Sequence, residues 1–213
     1  RVRLDDVDRE GITGVTLEDV NAAKEMGCVI KLLADCSLSE DGRIAVGVHP
    51  TMVPVSHPLA GIPGAYNAVF IESRNAGELM FMGPGAGGQP TASAVMGDVV
   101  TAARNRVRGV AGPGESAYSG RAITPAGDVR SRYYVALQVS DEPGVLAKVA
   151  TCFADHGVSL QAVRQDGVSA ESRARLGVMT HAAPHADILA TVAELGRLPQ
   201  VGAGISTMRV AGR

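Results

Sequence analysis

Three stretches of this chain carry residue types that could do chemistry. The first, "GPGAGGQPTASAVMGD" over 83–98, sets Gly83, Gly85, Gly87 and Gly88 ahead of a helical pattern. A backbone bare of side chains, next to the open N–H groups of a helix start, suits close approach of a ligand or anion. The same glycines equally suit a tight strand-to-helix turn at positive φ, and spacing alone leaves both readings standing. The Gly-Lys-Ser/Thr ending of a P-loop is absent, which excludes a phosphate cradle of that kind, and the glycines do not follow Rossmann spacing.

The second stretch is "SDEPGVLAKV" over 140–149. Asp141 is predicted to cap the helix that follows, and Gly144 leaves its first turn open. A zwitterionic amino acid could meet Asp141 with its ammonium and the helix amides with its carboxylate. A plain helix cap is the equal alternative. The third stretch, "VGVHPTMVPVSHPLAG" over 46–61, offers His49 and His57 for acid–base work near neutral pH. Each precedes a proline, which demands extended or turn backbone, and no carboxylate stands close in sequence. Structural hydrogen bonding is therefore the expectation for both. His181 and His185 lie four apart, but Pro184 intervenes and neither Cys nor Glu is near, so no metal site is expected. Lys24, Lys31, Asp35 and Glu72 read as charges on solvated faces.

The elements that must position these residues follow from periodicity. "TLEDVNAAKEMG" reads as a helix capped by Thr16 and stopped by Gly27, with Leu17, Val20, Ala22 and Ala23 on its apolar side. "CVIKLLADCSL" and "RIAVGVHPTMVP" read as strands joined by the turn "SEDG". "HPLAGIPG" makes a short turn or helix, and "YNAVFIESRN" with "GELMFMGP" a hairpin around Asn75–Gly77. The helix after the glycine loop is predicted to begin at Pro90, with Val95, Val99 and Ala102 or Ala103 on one face. Residues 106–132, rich in glycine and arginine without periodicity, have linker composition, with Val110, Tyr118 and Ile123 as candidate anchors.

Beyond the linker the alternation of Tyr133, Val135, Leu137 and Val139 predicts a half-buried strand. A helix with the stripe Val145, Leu146, Val149 and Phe153 follows, ended by Gly157. "VSLQAVRQ" and "RARLGVMTH" are two further strands around the polar loop "DGVSAES". A second helix carries Ile188, Val192 and Leu195, and "VGAGISTMRV" is the last strand. The order is βαββαβ, a ferredoxin-like arrangement. The fold class is α+β: a mixed-sheet domain over 1–105, the linker, and the ferredoxin-like domain over 133–213.

Composition narrows the function classes. Hydrophobic residues are 46% and charged ones 20% of 213, which is globular composition. A formal charge of −2 and 3% aromatics without tryptophan argue against nucleic-acid binding. No apolar run of about 18 residues occurs, so no membrane span is expected. Cys28, Cys36 and Cys152 are scattered and odd in number, as in a cytoplasmic protein with reduced thiols.

Taken together, "DREGITGVTLEDVNAAKEMGCVIKLLA", "VHPTMVPVSHPLAGIPGAYNAVF" and "GPGAGGQPTASAVMGDVVTAARN" resemble the later half of the homoserine dehydrogenase catalytic region. The βαββαβ tail resembles the ACT regulatory domain of many bacterial members. The resemblance implies a C-terminal portion of an NAD(P)-dependent oxidoreductase of threonine and methionine synthesis, interconverting L-homoserine and L-aspartate 4-semialdehyde. The family's Rossmann domain and proton-donating lysine have no counterpart in these residues, so no catalytic residue is assigned and the chain is expected to be inactive alone. It also implies that Gly87 lies against the cofactor with Gly85 and Ala86 as neighbours. Residues 83–105 would then return to the nucleotide-binding domain, and residues 1–82 would build a homo-oligomer interface. The ACT resemblance places an effector, L-threonine, at Asp141, Gly144, Val163 and Gln165. A non-catalytic amino-acid-sensing chain is the alternative.

Overall fold

A computed structural model describes residues 1–39, 41–112, 114, 117–168 and 173–212, with backbone alone for 166–168. The chain forms two compact units: residues 2–54 with 121–213, and residues 55–120 with Arg1.

The larger unit starts from α1 (Leu17–Glu25). The Asp19 N–H donates to Thr16 Oγ1 at 3.2 Å and the Thr16 N–H donates to Asp19 Oδ2 at 2.9 Å, so each residue satisfies the other's open donor. β2 (Cys28–Leu38) and β3 (Ile44–Pro54) then pair antiparallel in unbroken register, from Cys28 opposite Pro54 to Leu38 opposite Ile44. The ferredoxin-like order follows as β6 (Arg130–Ser140), α3 (Val145–Asp155), β7 (Leu160–Val168), β8 (Arg173–Thr180), α4 (His185–Leu195) and β10 (Ser206–Val210). Two-residue strands β1 (Asp8–Arg9) and β9 (Ala183–Pro184) add short pairings to β3 and β6. Residues 169–172, most of the expected polar loop, lie outside the described residues, and β7 extends over the first three residues of that loop, 166–168.

The ferredoxin-like sheet does not end at its last strand. β10 pairs antiparallel with β6 and also parallel with β3, with Arg209 opposite Thr51 and Val210 opposite Met52. One eight-stranded sheet therefore runs from β2 through β3, β10, β6 and β8 to β7. This changes the status of β6, expected to be half-buried. Tyr133, Val135, Leu137 and Val139 pack on one face with Val149 and Phe153 of α3 and Ile188 and Leu195 of α4. Tyr134 and Ala136 are also buried, on the other face, beneath Ala22 and Ala23 of α1 and beside Met52 and Met208. Gly177 makes room there: a Cβ would stand 2.8 Å from the Tyr134 hydroxyl.

Two expected stripes differ in detail. On α3 the buried set is Val145, Val149, Cys152 and Phe153, while Leu146 is 47% exposed, because the face turned to the sheet follows i, i+4, i+7, i+8. On α1, Ala22 and Ala23 are buried, and Asp19 with them, whereas Leu17 is exposed at the first turn. Of the anchors expected in the linker, Ile123 bridges to Ile44, flanked by Thr124 N–H donating to Ile44 O at 2.8 Å. Val110 and Tyr118 stay exposed.

The smaller unit holds the hairpin β4 (Tyr66–Ser73) and β5 (Gly77–Pro84), then α2 (Gly88–Arg108). The helix begins two residues before Pro90 and reaches into the glycine-rich stretch. None of its side chains is buried: Val95 and Val99, the expected apolar face, are 55% and 53% exposed.

Candidate functional site

The glycine loop leads from β5 into α2. Gly87 is the N-cap of that helix at φ 124° and ψ 146°, a region L side chains rarely adopt, and a Cβ there would stand 3.2 Å from Pro90 Cγ. Gly85 lies under the Asn67 side chain, whose amide occupies the place a Cβ would take. Backbone geometry thus accounts for both glycines without a ligand. What points to a ligand is the space next to them. Gly87, Gly88, Thr91, Ala92, Val95 and Met96 line a mostly apolar, open pocket of about 630 Å³. Around Gly88 a Cβ would meet nothing within 4 Å. Ala86 sits between the two constrained glycines.

The second candidate lies at the end of β6. Gly144, not Asp141, is the N-cap of α3, in left-handed conformation at φ 87° and without a side-chain cap bond. The expected cap fails because Pro143 and Gly144 delay the helix start, leaving Asp141 too far ahead of it. The Asp141 carboxylate is free for another role and accepts from Gln165 Nε2 at 3.2 Å. Val163 and Gln165 stand opposite Val178 and Leu176 of β8, so they share the sheet face that carries α3. A Cβ on Gly144 would meet nothing within 4 Å. The structure thus brings Asp141 and Gln165 together, with Val163 on the same face and open backbone at the helix start.

In the third stretch His49 is hydrogen-bonded, as expected, and its partner is a carboxylate 41 residues away in sequence. The buried His49 ring sets Nε2 3.0 Å from Asp8 Oδ2, and Arg209 Nη2 donates to the same oxygen at 2.8 Å. Burial pushes the Asp8 carboxyl up, but the His49 hydrogen bond and the charges of His49 and Arg209 outweigh it and hold it below its ordinary value. The group extends to α4, since Tyr133 Oη lies 2.9 Å from His185 Nδ1 and the Arg209 guanidinium lies over the Tyr133 ring. Burial raises the Tyr133 hydroxyl to about 12, and burial with nearby Arg209 lowers His185. These groups clasp β1, β3, β10 and β6 to one another. His57 is structural too: its Nδ1 accepts from Leu59 N–H at 3.2 Å and its ring meets Phe70 edge-on.

Two family models match this chain: homoserine dehydrogenase over residues 1–100 and ACT domain over 133–200. The homoserine dehydrogenase of Mycobacterium tuberculosis is 49% identical over 220 residues, covering 100% of this chain and 50% of the relative. The chain matches one half of a homoserine dehydrogenase along its whole length, with an ACT domain over 133–200. A Corynebacterium glutamicum homoserine dehydrogenase is 46% identical, over 99% of this chain and 48% of its own length. Among solved structures, a homoserine dehydrogenase from Thiobacillus denitrificans matches with a TM-score of 0.85 at 30% identity, over 98% of this chain and 48% of that one. The chain spans about half the length of these homoserine dehydrogenases.

Homoserine dehydrogenases use NAD(P). The pocket beside Gly87 is broad and apolar, a Cβ on Gly88 would meet nothing within 4 Å, and Gly87 caps α2 without a side-chain hydrogen bond. Sequence reading missed Asp8 and Arg209, because strand pairing brings together residues 201 positions apart. It also missed Thr91 and Met96, which line the pocket at i, i+5 on α2. Among the described residues no three His, Cys, Asp or Glu side chains are placed to hold a metal, and no helix is long and apolar enough to cross a membrane.

Proposed function

We propose that this chain forms the cofactor-facing helix, the oligomer-building region and the regulatory domain of a homoserine dehydrogenase. The whole enzyme interconverts L-homoserine and L-aspartate 4-semialdehyde with NAD(P), in threonine and methionine synthesis in the cytoplasm. The observation that carries this reading is the open pocket over Gly87, Gly88 and Val95 at the start of an unburied 21-residue helix. When bound, the nicotinamide supplies or accepts the hydride. The residues of this chain contribute by binding: Gly87 and Gly88 let the cofactor approach the backbone, Ala86 and Gly85 set the loop, and Val95 and Met96 give an apolar wall that excludes water. No proton donor is assigned among these residues.

The hairpin supports the oligomer part of the proposal. Val69, Phe81, Ile71 and Leu79 form two cross-strand pairs on one face and are 41–61% exposed, an apolar face suited to a second copy. At the ACT domain, L-threonine is the proposed effector. Its ammonium meets Asp141, its carboxylate the open N–H groups at Gly144, and its side chain approaches Val163 and Gln165. Residues 1–105, 106–132 and 133–213 serve as catalytic-region portion, linker and ACT domain.

The purified 213-residue chain should show no aspartate-semialdehyde-dependent oxidation of NADPH or NADH. Robust turnover by the chain alone would overturn the division of roles. Feedback inhibition by threonine in an active enzyme carrying this chain tests the effector assignment.

A further inference from the structure

The strand that carries half of the effector residues has a second face. Val163 and Gln165 stand on the α3 side of β7, and Arg164 between them stands opposite Gly177, on the α1 side. There Arg164 Nη2 lies 3.4 Å from Glu25 Oε2, at the last residue of α1. One strand over, Arg175 Nη1 lies 3.5 Å from Glu18 Oε2 and its Nη2 3.9 Å from the buried Asp19, at the first turn of the same helix. Two arginines of the ACT sheet thus hold both ends of α1, and Ala22 and Ala23 between them close on Tyr134 and Ala136.

We propose that α1 is the element through which the occupant of the Asp141–Gln165 site is read by the rest of the enzyme, with Arg164–Glu25 as the contact that transmits it. The inference rests on the effector reading above. A ligand that takes over the Asp141 carboxylate displaces the Gln165 amide now donating to it. β7 is the edge strand of the sheet, paired on one side only by β8, and its register shifts between Leu160 and Ala162 and between Asp166 and Val168. Such a strand yields more readily than a central one. A shift of Gln165 moves Arg164, its chain neighbour, against Glu25. Arg175, on the central strand β8, stays as the fixed point at the other end of α1. The helix is therefore pinned at its start and adjustable at its finish, and its finish leads directly into β2.

The test is amide hydrogen exchange of residues 20–26 in the purified protein, with and without L-threonine, beside calorimetric threonine titration. Wild type, Gln165→Ala, Arg164→Gln and the exchange pair Arg164→Glu with Glu25→Arg are compared. Threonine should change α1 exchange in wild type by about two- to fivefold, the scale of one partly exposed ion pair. Gln165→Ala should change it without any ligand. Arg164→Gln should keep threonine binding but lose the α1 response, and the exchange pair should restore it. Threonine binding without an α1 response in wild type, or an unaltered α1 in Gln165→Ala, would overturn the inference. If threonine does not bind wild type at all, the effector assignment fails, and the ligand-free Gln165→Ala comparison still decides the coupling.

Discussion

The two units differ in what they bury. The sheet of residues 2–54 and 121–212 covers both of its faces: α3 and α4 close one around Phe153, Leu137 and Leu195, and α1 closes the other over Tyr134 and Met52. In the unit of residues 55–120, α2 buries none of its 21 residues, and Val69, Phe81, Met82, Val95 and Met96 are all more than half exposed. The eight-stranded sheet is packed by helices on both faces, whereas the hairpin and α2 leave apolar side chains exposed.

Core truncation should expose that difference most strongly. Phe153→Ala should cost about 3–5 kcal/mol in denaturant unfolding, as for a fully buried aromatic, while Phe81→Ala should change stability by less than about 0.5 kcal/mol. Equal losses would erase the distinction. The ligand sites extend the comparison. Gly144→Glu places bulk and negative charge where the effector carboxylate is proposed to sit, and threonine binding should be lost outright in calorimetry. Gly144→Ala carries only the left-handed backbone penalty of about 1–2 kcal/mol and should keep binding. Loss in both would mean that backbone strain, not the ligand site, was being read. In an active enzyme carrying this chain, Gly87→Val should raise the nucleotide KM by roughly tenfold or more, since strain of about 1–3 kcal/mol falls on the pocket edge. An unchanged KM would leave the loop as a turn and nothing more.

An effect smaller than core truncation concerns the clasp at Asp8. Its folded-state acidity is raised, meaning its pKa lies below the ordinary 3.8. Between the two values the unfolded chain binds more protons, so stability rises with pH there. The contribution is fully present above about pH 4 and is lost as pH falls through the folded value. Asp8→Asn should cost about 1–2 kcal/mol at pH 7 and flatten the acid limb of the stability curve. An acid limb as steep as wild type in Asp8→Asn would remove Asp8 from that role.

Local features of the fold were legible because they have local causes. Thr16 with Asp19 announces the start of α1, the run from Cys28 to Leu38 is continuous strand, and the βαββαβ order follows from alternation and helical stripes. What was hidden depends on pairing between distant segments. Nothing in "STMRV" or "HPTMVP" signals that β10 and β3 run side by side, yet that pairing extends the sheet and puts Arg209 beside Asp8 and His49. Burial of Tyr134 and Ala136 was hidden for the same reason, since α1 comes from far upstream to cover them. At the candidate sites the sequence singled out Gly87, Gly144, Asp141 and Gln165. It did not show that Asp141 bonds Gln165 instead of capping α3, which follows from the left-handed turn at Gly144.

The two regions can be tested side by side in one calorimetric experiment on the purified 213-residue chain, titrated first with L-threonine and then with NADPH. The account predicts saturable heat with threonine, abolished in Gly144→Glu, and no saturable heat with NADPH, because α2 supplies only one wall of the cofactor site. Tight NADPH binding with no response to threonine would contradict it.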